Sequence, residues 1–226
     1  MSFTLSDTGT LSQSHGVKVC IYGRSGLGKT RLFTTAPAPL ILSAENGLRS
    51  LKAERLPAAR IACYQDLLDA HAWLLNRQDG GRFQTIGLDS ITDFANVLLE
   101  EEKRSVKDPR KAYGNMQDKI FAAIRAFRDL PSRHVVFIAQ EGSILDATGA
   151  KLCSPAMPGK TASGAMPFFW DEVLQLTVGG VTPNQFVYLR CKADYANDAK
   201  DRSGMLAEME PPHLAQLFAK IDSAPL

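Results

Sequence analysis

No apolar run in the 226 residues approaches the roughly 20 that a membrane-crossing helix needs, so the sequence offers no spanning segment. Cysteine is scarce: Cys20, Cys63, Cys153 and Cys191 stand far apart and form no Cys-x-x-Cys pair. That spacing speaks against a disulfide framework or a zinc site and for reduced thiols in apolar surroundings. The dispersed histidines form no ligand pair, so no metal site built from protein ligands alone is expected. A charge excess is also missing. The net charge of +2 makes too weak a field to gather nucleic acid, and any DNA contact must be a local patch. Met1 to Thr10 has neither the basic start nor the apolar core of a secretory signal, and a cytoplasmic protein is expected.

What is present reads as one α/β domain from residue 17 to 226, preceded by a Ser/Thr-rich flexible arm over residues 1–16. Val17 to Tyr22 is a β-branched run closed by glycine, the pattern of a strand buried in a parallel sheet. Further strands are expected at Pro39–Ser43, Thr85–Asp89 and His134–Gln140, with a late antiparallel hairpin from Val173–Val178 and Gln185–Cys191. Leu67, Leu68, His71, Leu74 and Leu75 recur at helical spacing, as do Ile120, Ile124 and Phe127. Strands alternating with helices give a mainly parallel sheet covered on both faces. Two stretches read as non-regular: Lys103 to Asn115, interrupted by Pro109, and Glu141 to Met166, which reads as a long mobile loop.

The chemistry concentrates at Gly23-Arg24-Ser25-Gly26-Leu27-Gly28-Lys29-Thr30, a G-x-x-x-x-G-K-[ST] loop between a strand and an expected helix. Its glycines let the backbone approach phosphate, its N–H groups face the anion, and Lys29 reaches the β and γ oxygens. Thr30 supplies a hydroxyl to Mg²⁺. The strand Thr85–Asp89 ends in an acid at the edge of the sheet where ligands bind, so Asp89 is placed to hold the metal's water shell; the alternative is a helix cap. ATP and Mg²⁺ are the expected cofactors.

Glu45, after the second strand, stands where a carboxylate can polarise an attacking water, and Ser90 after Asp89 cannot serve as that base. Gln140 closes the His134 strand and can hydrogen-bond a γ-phosphate. Lys200-Asp201-Arg202-Ser203-Gly204 resembles the K-x-R-x-G pattern of RecA-like hexameric helicases and circadian-clock ATPases, which implies cations reaching a neighbour's γ-phosphate. Each has a bland reading as well: a surface acid, a solvent-facing amide, a solvated charge cluster.

The set of Lys18 to Thr30, Ala44-Glu45-Asn46-Gly47, Leu88-Asp89-Ser90-Ile91-Thr92, Ala139-Gln140-Glu141 and Lys200-Asp201-Arg202 resembles the phage-encoded, RecA-like single-strand annealing proteins of the Sak type, over Val17 to Gly204. The family's acid-Gly-Gly stands here as Glu45-Asn46-Gly47. The resemblance implies a RecA-like core, ATP hydrolysis, single-stranded DNA as partner, a homo-oligomer with active sites between subunits, work beside a single-strand-binding protein, and a host bacterial cytoplasm. Candidate DNA contacts are Lys107, Arg110, Lys111 and Tyr113 in one loop and Lys151 and Lys160 in the other. The alternatives are a nucleotide-gated assembly factor with little hydrolysis and a P-loop small-molecule kinase. A kinase would need lid arginines, yet Glu141 to Met166 holds only Lys151 and Lys160 as cations. No N-K-x-D-type guanine motif follows Gln140, which weighs against a GTPase.

Overall fold

The computed structural model describes residue 5 and residues 16–45, 47–76, 80–145 and 148–223, without the side chains of Lys160 and Thr161. The arm over residues 1–16 therefore lies outside the described residues but for residues 5 and 16.

Strands β1 (Lys18–Gly23), β2 (Pro39–Ser43), β3 (Ala58–Arg60), β4 (Thr85–Asp89), β5 (His134–Leu145) and β7 (Glu172–Gly179) form a parallel array in the order β7-β1-β5-β4-β2-β3, and β6 (Lys151–Pro155) lies outside it. Beyond β7 the pairing turns antiparallel, through β8 (Phe186–Arg190) and β10 (Met209–Glu210). The short β9 (Lys200–Asp201) pairs with the start of β7. The result is a mixed sheet with helices on both faces.

Alternation along β1 sorts the core. Cys20 and Tyr22 face helices α1 (Tyr64–Leu75), α2 (Ile91–Ser105) and α3 (Pro109–Arg128), with Phe94, Ile120 and Phe127 packed beneath them. Val19 and Ile21 face the other way, onto Leu32, Phe33 and, from α5 (Leu214–Asp222), Leu217 and Phe218; α4 (Lys160–Ala165) is a single short turn. Both layers are fully buried. Two glycines make the close approaches possible: a Cβ on Gly23 would lie 2.4 Å from the Leu176 carbonyl oxygen, and one on Gly87 would lie 2.3 Å from the Phe33 ring.

Several sequence expectations need correction. The segment after Lys29 is a 3₁₀ turn, Thr30–Thr35, and not an α-helix. Thr34 and Thr35 donate their hydroxyls back to the Arg31 and Leu32 carbonyls, and Pro37 follows directly. In α1 only Leu67 and Leu74 are buried; Leu68 and Leu75, one position round the helix, are exposed. Lys103 to Asn115 is regular: α2 ends at Ser105, and Pro109 is the first residue of α3 rather than a break, with the Asp108 carboxylate accepting from the Arg110 N–H at 2.9 Å. Glu141 to Met166 is no loose loop either. β5 continues to Leu145 and pairs antiparallel with β6, from Glu141 opposite Pro155 to Leu145 opposite Lys151, and α4 follows.

Candidate functional site

The parallel strands deliver their C-terminal ends to one edge, where a cavity of about 850 Å³ opens. Its wall includes Gly23 to Gly26, Gly28 to Arg31, Glu45, Asp89, Ser90, Asp93, Gln140 and Glu141. β1, β4 and β2 contribute residues at or past their ends, and β5 those where it leaves the parallel array for its pairing with β6, which is why positions scattered from 23 to 141 meet.

The loop after β1 has the shape that close contact with an anion requires. Gly26 and Gly28 hold φ of 84° and 89°, conformations that L side chains rarely adopt, and a Cβ on Gly26 would point into open space. Lys29 folds over the loop and donates to the carbonyls of Gly23 at 2.7 Å and Arg24 at 2.9 Å. Burial draws its pKa below the ordinary lysine value, against the opposing pull of Asp89 and Glu45.

Thr30 donates its hydroxyl to Asp89 Oδ2 at 2.7 Å. Burial raises the Asp89 carboxyl above its usual range, while the Thr30 hydroxyl and Lys29 oppose that rise. One hydroxyl from the turn after the phosphate loop and one carboxylate at the end of β4 suit a hard cation that takes its other ligands from phosphate and water. Among the described residues no group of three or more His, Cys, Asp or Glu could hold a metal. The open glycine cradle, a lysine with only carbonyl partners and the Thr30–Asp89 pair together fit a magnesium–triphosphate.

Glu45 is paired with a residue that the sequence reading did not single out. The Asp93 carboxyl beside it, followed by burial, pushes its pKa up to about 7. Ser90 Oγ lies 3.4 Å from Glu45 Oε1 and also donates to Asp93. Gln140 donates its amide to both Asp93 oxygens at 3.3 Å. A signal for Asp93 was present in the sequence: Ser90-x-x-Asp93 opens α2, with Ser90 Oγ accepting from the Asp93 N–H, so the acid after the metal strand is held at the cavity by the helix start. Arg31 also lines the cavity and was unmarked, and Glu141, which lines it too, had been given no role of its own.

The other candidates lie elsewhere. Lys200 and Asp201 pair with Val173 and Glu172, and Glu172 is level with Val19, four residues or about 13 Å before the end of β1. Lys200 donates to the carbonyls of Pro167 at 3.2 Å and Trp170 at 2.6 Å, and Arg202 pairs with Asp171 at 2.7 Å. These cations do not reach the cavity of their own chain.

Lys107, Arg110, Lys111 and Tyr113 sit at the α2–α3 junction, separated from Ser90 by the 15 residues of α2, about 22 Å. They do not border the cavity, because the junction is the far end of a helical hairpin and not a loop at the sheet edge. All four are exposed. Lys151 is exposed where β6 begins, and the Lys160 side chain lies outside the described residues. The two segments do adjoin: the Tyr113 ring lies over Gly159, where an added Cβ would meet it at 3.6 Å.

All four cysteines are free, Cys20 and Cys191 buried. Among the described residues no helix is long and apolar enough to cross a membrane.

The profile of the AAA domain family matches residues 15–203. No curated protein matches the chain. Among solved structures, the chain is similar to a KaiC-like protein from the hyperthermophilic archaeon Pyrococcus horikoshii, at 14% identity, with 77% of each chain covered and a TM-score of 0.43.

Proposed function

The chain belongs to the AAA domain family of P-loop NTPases, and on that premise we propose that it is a magnesium-dependent, RecA-like ATPase that binds single-stranded DNA and promotes strand annealing in phage recombination. The observation that carries the reading is the meeting of Lys29, the Thr30–Asp89 pair, Glu45 and Gln140 around one cavity. In it the backbone from Gly23 to Thr30 holds the triphosphate, Lys29 leaves the Gly23 and Arg24 carbonyls for the phosphate oxygens, and Thr30 and Asp89 hold the cation. The cation, when bound, supplies neutralisation of phosphate charge. Glu45 accepts a proton from the attacking water, which requires that its contact with Asp93 first be broken.

In this reading residues 17–226 work as one ATPase domain behind the arm of residues 1–16, with β7 and β8 as its C-terminal hairpin. Lys200 and Arg202 act on the site of a second copy in a homo-oligomer, which accords with their lying at the edge remote from their own phosphate loop. Exposed Lys107, Arg110, Lys111 and Tyr113, with Lys151 and Lys160, offer cations and one ring to a DNA strand.

Hydrolysis of ATP with Mg²⁺, measured with and without single-stranded DNA, tests the proposal. Turnover that rises with DNA is expected, together with loss of DNA affinity when Lys107, Arg110 and Lys111 are replaced by alanine. ATP binding with no turnover in either condition would point to an assembly factor, and transfer of the γ-phosphate to a small acceptor to a kinase.

A further inference from the structure

Asp93 is the meeting point of three strands. It lies in the first turn of α2, shortly after β4, it takes the Gln140 amide from within β5, where pairing with β1 ends, and the Glu45 carboxyl past the end of β2 lies beside it and 3.4 Å from Ser90 Oγ. Its Ser90 contact is the ordinary business of a helix start. The other two contacts are not, since neither Gln140 nor Glu45 belongs to α2 and neither is needed to cap it. Both are among the groups that the nucleotide reading assigns to the γ-phosphate and its attacking water.

The Gln140 amide cannot give the same N–H to Asp93 and to a phosphate oxygen, and the Asp93 carboxylate faces the place where that phosphate would bring negative charge. What happens at Gln140 reaches further along the chain. Its backbone N–H bonds Thr92 Oγ1 at 3.0 Å, its carbonyl accepts from Ala156 at 2.8 Å, and Thr92 Oγ1 donates to the Ala156 carbonyl at 2.9 Å. Gln140 is therefore at the root of the β5–β6 ribbon, which begins with Glu141 opposite Pro155.

We propose that Asp93 is a positioning residue that latches Gln140 and Glu45 together in the nucleotide-free site, and that a γ-phosphate opens the latch by taking the Gln140 amide. This rests on the nucleotide reading above. Asp93 then sets how strongly the site prefers a triphosphate to a diphosphate, because only the triphosphate has to break the latch. Removing it leaves Gln140 unengaged before binding and removes one negative charge from the pocket.

The test is a double-mutant cycle with Mg²⁺ and two probes, ADP and a non-hydrolysable ATP analogue, whose dissociation constants are measured by calorimetry on the full chain, Asp93→Ala, Gln140→Ala and the double variant. The ratio of ADP to analogue dissociation constants is expected to rise about tenfold in Asp93→Ala, the size of one hydrogen bond to a charged group. In the Gln140→Ala background the same substitution should change the ratio about threefold at most, since the partner it releases is gone. Asp93→Asn keeps the side-chain shape and guards against loss of fold, and a rise in the ratio smaller than that of alanine is expected from it. An unchanged ratio in both Asp93 variants, or the same rise with and without Gln140, would overturn the latch. Failure of the unsubstituted chain to bind either nucleotide would overturn the nucleotide reading and the latch with it.

Discussion

The two edges of the sheet treat their polar residues in opposite ways. At the N-terminal edge, Lys18, Arg133 and Glu172 are buried and turn to the backbone: Lys18 donates to the Leu130 and Arg133 carbonyls, Arg133 to those of Leu74 and Gly80, and Glu172 accepts from the Arg202 and Ser203 N–H groups. At the C-terminal edge, Thr30 bonds Asp89, Ser90 bonds Glu45, and Gln140 bonds Asp93, side chain to side chain around a cavity. The buried staples bind the backbone of distant segments and cannot let go without disturbing the fold, whereas Lys29, also on carbonyls, holds only its own loop. Side-chain partners can rotate away when a ligand offers better ones. The first edge is a set of staples and the second a set of exchangeable contacts, which is what a binding site needs and a structural buttress does not.

The largest effect that would break this contrast falls on Glu45. Glu45→Gln should preserve ATP binding and lower the rate of hydrolysis by roughly 10²–10⁴, measured as steady-state phosphate release. Near-normal turnover would move the base elsewhere. Next in size is a staple: Lys18→Met leaves two carbonyls without their donor and should destabilise the fold by about 1–3 kcal/mol in urea titration, with ATP affinity unchanged. If ATP affinity fell as well, the two edges would not be separable.

The smallest effect is one of pH. Burial first, and the nearby Asp201 second, raise Glu172 from the usual carboxyl range to about 7. A carboxyl whose folded value lies above its unfolded one keeps its proton longer in the folded chain, so its contribution to stability falls as pH rises from about 4.5 to 7. Glu172→Gln should flatten the fall in melting temperature between pH 5 and 7, read by calorimetry. An unaltered slope would assign the pH dependence to other groups.

The legible part of the molecule is the part where one residue type implies one geometry. The phosphate loop, the Val- and Ile-rich strands β1 and β5 and the acid ending β4 could be read because glycine spacing and β-branched runs have few alternatives. β3 is Ala58-Ala59-Arg60, with no β-branched residue, and it exists through parallel pairing with β2 rather than through propensity. Pro109 looked like an interruption, although at the first helical position its missing N–H costs nothing. The β5–β6 ribbon was hidden by its glycine and proline content, and β6 is anchored near the Tyr22 hydroxyl, which lies 2.5 Å from the Asp198 carbonyl and 3.2 Å from that of Cys153. A contact between residues 22 and 153 leaves no local pattern. For the same reason Glu45 could be named from its strand and Asp93 read only as a helix-start acid, while the approach of the two left no local pattern.

The most direct measurement is an equilibrium titration of the chain and of Lys29→Ala with ATP and Mg²⁺, with circular dichroism of both proteins. Lys29 bonds only its own loop's carbonyls, so the variant should keep its fold and melting behaviour while ATP affinity falls at least about tenfold, in line with loss of a charge-assisted contact to phosphate. Equal ATP affinity in the two folded proteins would contradict the assignment of this edge as a nucleotide site.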